Sequence, residues 1–135
     1  YRLSDAKFVI LRDKDADDCK IIKNRLLEKC KEANRPNTLI RIACHELESW
    51  YLADLFAVEQ GLVLSGLQRY QNQRKFLSPD GYPSPVETLR KIAPSYQKVG
   101  GSRSIGPYLD PGNTRSQSFS VFVSGLRKLL PSNKR

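Results

Sequence analysis

An α/β fold, with a small parallel sheet, flanking helices and a more helical C-terminal half, is the class this sequence predicts. Three observations carry it. An apolar run, Phe8-Val9-Ile10-Leu11, leads straight into Arg12-Asp13-Lys14-Asp15; Cys19, Ile22, Leu26 and Cys30 recur at helical spacing; and Leu39-Ile40-Arg41-Ile42-Ala43 is a second β-rich run. Two strands joined through a helix pair in parallel, by a right-handed crossover. The 135 residues make one domain, with enough chain to bury a core.

The elements follow in order. Asp15 to Asp18 supply the N-cap and first-turn negative charge of a helix that runs to about Ala33. Its apolar stripe faces the core, and Asn34-Arg35-Pro36-Asn37 ends it. After the second strand, within Thr38 to Cys44, a helix is expected from His45 to about Gln60, stopped by Gly61. At 100° per residue, Leu47, Val58, Tyr51, Leu55 and Leu52 fill one apolar arc, and Glu48 falls inside it, while Glu46, Trp50 and Asp54 form a neighbouring row. Residues 62–83 read as an excursion with a short helix and a loop, punctuated by Pro79, Gly81 and Pro83. Ser84-Pro85-Val86-Glu87 has the form of a capping box and opens a helix that ends before Pro94. Tyr96 to Gly106 reads as a glycine-bearing loop bracketed by Lys98 and Arg103, or as a glycine turn before a helix. A last helix spans about Ser116 to Leu130, with Phe119, Phe122, Val123, Leu126 and Leu130 on its core face. Pro131 and the Lys134-Arg135 tail close the chain.

Composition narrows the function. Lys and Arg number 23 against 14 acidic residues, a net charge of +9. Residues 1–60 are close to charge-balanced, and nearly all the excess lies beyond Gln68. A polyanionic partner, most simply nucleic acid, suits that distribution, although a generic basic surface has the same composition. Three cysteines without CxxC spacing and a single histidine, His45, argue against a zinc site, a disulfide framework and His-dependent nucleophilic catalysis. No stretch nears the roughly 20 apolar residues of a membrane span, and no signal peptide is visible, so the expected setting is cytoplasmic without membrane contact.

The chemistry concentrates at the end of the first strand. A pleat would send Asp13 and Asp15 to one side, about 7 Å apart, at the edge where open α/β sheets keep ligand sites. Crowded carboxylates repel unless a cation lies between them. Oxygen ligands suit Mg²⁺ or Mn²⁺, which also take phosphate oxygens. The same Asp-x-Asp also serves plain helix capping. Glu48, costly inside an apolar arc unless paired or metal-bound, lies just after the second strand on the same edge. Glu46 beside it also suits first-turn dipole complementation. Arg69, Arg74 and Lys75 with Tyr70 fit nucleic-acid contact, where stacking and phosphate pairing occur together, or a solvated surface helix. Lys98 and Arg103 would form a basic lip on the acidic site; the glycines between them do not make a Walker motif.

Three segments carry a resemblance: Val-Ile-Leu-Arg-Asp-Lys-Asp (9–15), Ile-Ala-Cys-His-Glu-Leu-Glu-Ser-Trp-Tyr-Leu-Ala-Asp (42–54) and Tyr-Gln-Lys-Val-Gly-Gly-Ser-Arg-Ser-Ile-Gly-Pro-Tyr-Leu (96–109). With Ser-Phe-Ser-Val-Phe-Val-Ser-Gly-Leu-Arg (118–127), they make nearly the whole chain similar to a bacterial family catalogued as domain of unknown function 4276. That group is Toprim-like and often encoded beside ATPases in anti-phage defence loci. Toprim domains hold Mg²⁺ for phosphoryl transfer with an N-terminal glutamate and an Asp-x-Asp. The resemblance therefore implies a Mg²⁺- or Mn²⁺-dependent nuclease, or a module of one, in which Asp13 and Asp15 match the Asp-x-Asp. Glu48, or less closely Glu46, matches the extra acidic ligand of the nuclease branch, and Lys98 and Arg103 the phosphate-facing cations. Catalysis is expected from Asp13, Asp15, Glu48 and Lys98, with nucleic acid held by Arg69, Arg74, Lys75, Lys98 and Arg103. No glutamate precedes Asp13, and the chain begins at Tyr1 without a methionine, so the first strand of that pattern is expected to be missing. The alternative is a non-catalytic subunit that binds nucleic acid or an ATPase partner.

Overall fold

The computed structural model describes residues 5–130, so the expected Pro131 stop and basic tail lie outside the described residues. Two strands, β1 (Val9–Asp13) and β2 (Leu39–Ala43), pair in parallel with Val9 opposite Leu39 and Asp13 opposite Ala43. The helix α1 (Cys19–Glu32) connects them. Asp18 caps it, its side chain accepting from the backbone N–H groups of Lys20 and Ile21. Ile22 and Cys30 are buried as the stripe requires; Cys19, the first residue of the helix, is exposed.

The long helix expected over 45–60 is two helices, α2 (Glu48–Leu52) and α3 (Leu55–Leu62). Asp54 makes the break. It leaves helical geometry, with φ −139° and ψ 73°, and its side chain accepts from Ala57 N–H to cap α3 and from Asp110 N–H. A short acidic side chain competes with the helix for backbone donors, which is why Asp interrupts helices more often than it continues them. The orphaned Ala53 carbonyl accepts from Asn113 Nδ2 at 2.7 Å. Gly61 does not stop α3. The stop is Val63, in the left-handed region at φ 54°, and Gly61 lies inside the helix against the backbone of the helix α6 (Lys98–Ile105).

That helix overturns a second expectation. Tyr96 to Gly106 is not a loop: Gly100 and Gly101 sit within α6. Glycine's low helix propensity is overridden by packing, since a Cβ at Gly101 would come within 2.5 Å of the Tyr96 ring. Between α3 and α6 come 3-10 turns at Gln68–Tyr70 and Pro79–Gly81, with the short α4 (Arg74–Leu77), and then α5 (Pro85–Ile92). Pro85 takes the first helical position, but no Ser84 side chain caps α5. The Val86 N–H goes instead to Glu46 Oε2, at 3.1 Å. The last helix, α7 (Gln117–Leu129), is capped by Ser116, and Leu130 lies beyond it, 67% exposed rather than on the core face.

The core is built mainly by helices. Trp50, Leu52, Leu55, Val58, Phe76, Leu89, Tyr96 and Ile105 form it, with Ala43 reaching in from β2 and Phe119 from α7. The Trp50 ring lies 5.1 Å from Phe119 and 4.9 Å from Phe122. Its N–H donates to Ser118 Oγ at 2.9 Å, so the indole is satisfied.

Glu59, on α3, ties down the loop that follows. One carboxylate oxygen accepts from the Leu67 and Gln68 N–H groups, the other from Gln68 Nε2 at 2.7 Å. Burial alone would raise its pKa; the hydrogen bonds from the Gln68 side chain and the Gln68, Leu67 and Gly66 backbone outweigh that and lower it. A carboxyl depressed in the folded state stabilises above its unfolded pKa, near about 4.3, and loses that contribution as pH falls through the folded value. Glu59→Gln should therefore cost about 1–2 kcal/mol at pH 7. The gap to wild type should narrow in urea unfolding as the pH falls below the unfolded pKa and through the lowered folded one.

Candidate functional site

β1 ends at Asp13, and the chain turns immediately. Lys14 N–H still reaches the Ala43 carbonyl, but Asp15 sits at φ 53° in the left-handed region, so the strand pleat does not aim Asp13 and Asp15 together. Asp15 N–H donates to the His45 carbonyl at 2.7 Å, and the His45 ring Nδ1 lies 3.3 Å from the Asp15 carbonyl. His45 is itself left-handed at φ 58°. The two strand-end loops are thus cross-linked through a pair of non-glycine residues in a conformation that costs each of them energy, a cost that concentrates at functional sites.

Within this frame Asp13 is half-buried beside Glu48. Burial pushes the Asp13 carboxyl above its ordinary range; the Leu47 backbone N–H draws it partly back, the negative charges of Glu48 and Asp15 push it further up, and Lys98 lowers it. Glu48 opens α2 and is only 3% exposed. Its Oε1 accepts from the Tyr96 hydroxyl at 2.8 Å, and the Ser102 hydroxyl stands 3.3 Å from the same tyrosine. Tyr51, one helical turn after Glu48, lies beside them, its ring 6.1 Å from that of Tyr96. Burial raises the Tyr51 pKa; the Ser102 hydroxyl eases it, while Glu48 and Asp13 raise it further. Burial also lifts Tyr96 far above the usual phenol, with its bond to Glu48 adding to the shift. Both phenols are therefore donors at neutral pH rather than nucleophiles.

Lys98, at the start of α6, supplies the positive charge. Its ammonium is 3.4 Å from Glu46 Oε1. Burial would lower its pKa, but the carboxylates of Glu48, Glu46 and Asp13 outweigh this and raise it. Glu46 thus joins the α5 N-terminus to Lys98 and orients that lysine, a role more distant than the first-turn complementation its sequence position suggests. Arg103, in the last turn of α6, is exposed. Arg69 stacks over Tyr70 at 4.8 Å and donates to its hydroxyl at 2.8 Å; Lys75 stands 5.1 Å from the Phe76 ring centre; Arg74 is exposed. None of these three side chains bonds to the carboxylate cluster among the described residues.

Carboxylate oxygens are donors of the kind a hard dication takes. No three His, Cys, Asp or Glu side chains among the described residues converge closely enough to enclose a metal by themselves. Mg²⁺ asks for less, because it keeps several waters and takes one or two carboxylates, leaving positions for phosphate oxygens. Asp13 and Glu48 are the two carboxylates whose charges bear on one another at this edge. Sequence reasoning does not find Tyr51, Tyr96 or Ser102: Tyr51 has the spacing of a core residue, and nothing local ties Tyr96 or Ser102 to Glu48.

An α/β domain with an acidic pair at the carboxyl end of two parallel strands, faced by a lysine from a later helix, is what the fold and site define. The chain belongs to the family described as a domain of unknown function (DUF4276), whose model matches residues 2–127. No curated protein and no solved structure matches it. Among the described residues no helix is long and apolar enough to cross a membrane.

Proposed function

We propose that this chain is a metal-dependent nuclease module, Toprim-like in its chemistry, that hydrolyses phosphodiester bonds in nucleic acid. The observation that supports it most is the buried Glu48, held by Tyr96 beside Asp13, with the Lys98 ammonium on the rim. A buried carboxylate next to a second carboxylate is expensive, and such pairs persist where a cation or a reaction requires them. A Mg²⁺ or Mn²⁺ ion on Asp13 and Glu48 would supply Lewis acidity toward the scissile phosphate and toward an attacking water. Asp15, at the rim of the same loop, adds negative charge that strengthens cation capture. Lys98 and Arg103 neutralise phosphate charge as it grows, an effect that is large where water is excluded. Arg69, Arg74 and Lys75 would hold the flanking strand by phosphate pairing and stacking.

The second reading is a non-catalytic subunit that binds nucleic acid or an ATPase partner. The confinement of the net positive charge to residues beyond Gln68 favours it. Calorimetric titration of Mg²⁺ and Mn²⁺ into the wild type and an Asp13→Ala/Asp15→Ala double variant separates the two. The nuclease reading expects specific binding that the double variant loses, together with metal-dependent cleavage of single- or double-stranded DNA or RNA. A folded wild type that binds neither ion would remove it. Salt-sensitive nucleic-acid binding that persists without any metal would establish the second.

A further inference from the structure

Residues 68–82 form a cationic, aromatic patch, and a cavity opens within it. We propose that this patch binds single-stranded nucleic acid: the cavity beside Tyr82 takes one unpaired base, the Arg69 guanidinium stacks on another, and Arg74 and Lys75 pair with the phosphates. This rests on the nucleic-acid partner read above and names the form in which that partner is taken.

The cavity holds about 310 Å³ and is lined by Arg74, Ser78, Gly81 and Tyr82. That is room for a nucleobase, and the four residues offer it a guanidinium, a hydroxyl, bare backbone and an aromatic ring. A Cβ at Gly81 would meet nothing within 4 Å, so nothing crowds that wall. Tyr82 is half-buried, and its N–H donates to the Pro79 carbonyl at 3.0 Å. In the same patch cations and rings alternate. Arg69 lies over the Tyr70 ring at 4.8 Å and donates to its hydroxyl at 2.8 Å; the Tyr70 and Phe76 rings are 6.3 Å apart; Lys75 stands 5.1 Å from the Phe76 ring centre. Arg69 is exposed although it is held at one ring, which leaves guanidinium surface free for a base. No carboxylate pairs with Arg69, Arg74 or Lys75 among the described residues. Asp80, the one acidic residue in 68–82, is taken by the Ser116 hydroxyl and the Ser118 N–H. Buried Gln71 fixes the patch to the core: its Oε1 accepts from Leu55 N–H, and its Nε2 donates to the Leu52 and Phe76 carbonyls. The groups are thus ordered before a ligand arrives, which lowers the cost of binding it. Bases inside a duplex show no face to such a surface. Unpaired bases do, and they stack on aromatic rings and guanidinium planes.

The test is fluorescence anisotropy with labelled oligo-dT and oligo-U strands and with DNA and RNA duplexes of the same length. EDTA is present, so no metal contributes, and melting temperature is measured on the same samples. The wild type should bind one of the strands at least about tenfold more tightly than either duplex. Tyr82→Ala should weaken that strand about tenfold and leave the duplexes and the melting temperature unchanged. Arg69→Lys keeps the charge and loses the plane, and should weaken the strand without changing the salt dependence, since the number of phosphates neutralised is the same. If Tyr82→Ala does not fold, Tyr82→Trp decides: the strand should quench the emission of the new indole, and unchanged emission overturns the base site. Equal affinity for strands and duplexes, or wild-type strand binding by a folded Tyr82→Ala or Arg69→Lys, overturns the single-strand site and leaves the nucleic-acid partner standing. A folded wild type that binds neither strands nor duplexes overturns both.

Discussion

Replacing Asp13 by Asn is expected to make the chain more stable and, on the nuclease reading proposed above, to remove metal-dependent cleavage. The two effects have one cause. Burial and the charges of Glu48 and Asp15 raise the Asp13 pKa in the folded state, so its ionised form is disfavoured there. A group shifted in this direction lends stability below its unfolded pKa, near about 3.9, and that stability is lost as pH rises through the folded value. At pH 7 the ionised carboxylate is therefore a net cost, which Asn, of the same shape and without charge, does not carry. Asp13 is partly open to solvent, so screening keeps the gain to about 1 kcal/mol or less, ~3 °C in Tm. It should shrink as the wild type is protonated in acid. On that reading cleavage should fall at least about 100-fold, because roughly 3 kcal/mol of transition-state stabilisation would go with the proposed ligand. Mg²⁺ should raise the wild-type Tm and leave the Asn variant unmoved, since an ion stabilises only the state that binds it. Thermal melts with and without Mg²⁺, and cleavage rates on the same preparations, check each part. A variant that melts lower than wild type, or cleaves as fast, would falsify the trade-off.

What the sequence discloses and what it hides divide along the range of the interactions. The βαβ unit is legible because its signals are local: an apolar run, a helical stripe, a capping Asp18 and a second run. Glu48 is legible because a charge inside an apolar arc stands out against a periodic background. Tyr96 and Ser102 are not. The Tyr96 hydroxyl reaches Glu48 across 48 residues of chain, Ser102 acts through Tyr96, and neither sits in a pattern that marks it. Glu46 shows the same limit. Its neighbours suggest the first turn of its own helix, whereas its carboxylate caps α5, 40 residues on. The backbone turn at Asp15 is hidden for a different reason. Strand alternation extended through it would aim it beside Asp13, but the chain leaves the ladder after Lys14, and the left-handed turn that follows is set by its bond to His45 in the neighbouring loop. The glycines of α6 mislead because propensity is a weak prior where two backbones or a ring must approach closely.

The largest stability change should come from one methyl group at Gly61. In an exposed helix, Gly→Ala gains about 0.5–1 kcal/mol by reducing the freedom of the unfolded chain. At Gly61 the sign reverses. A Cβ there would lie 2.6 Å from both the Ile105 Cα and the Ser104 carbonyl oxygen, and 2.7 Å from the Ile105 nitrogen. These are backbone atoms of α6 and cannot swing aside as a side chain would, so α3 and α6 must separate. The expected loss is about 3 kcal/mol, or roughly 10 °C in Tm for a chain of this length. Gly100 is the internal control. It lies in α6, exposed, and a Cβ there would meet nothing within 4 Å, so Gly100→Ala should raise stability by about 0.5–1 kcal/mol. Opposite signs from the same substitution in two touching helices would tie the effect to the crossing and not to helix propensity. The consequence reaches the site, because α6 carries Lys98 and Ser102 and packs on Tyr96. A Gly61→Ala protein that remains folded at low temperature should bind Mn²⁺ more weakly than wild type, and one that binds equally well would show that α6 can shift without disturbing the carboxylates.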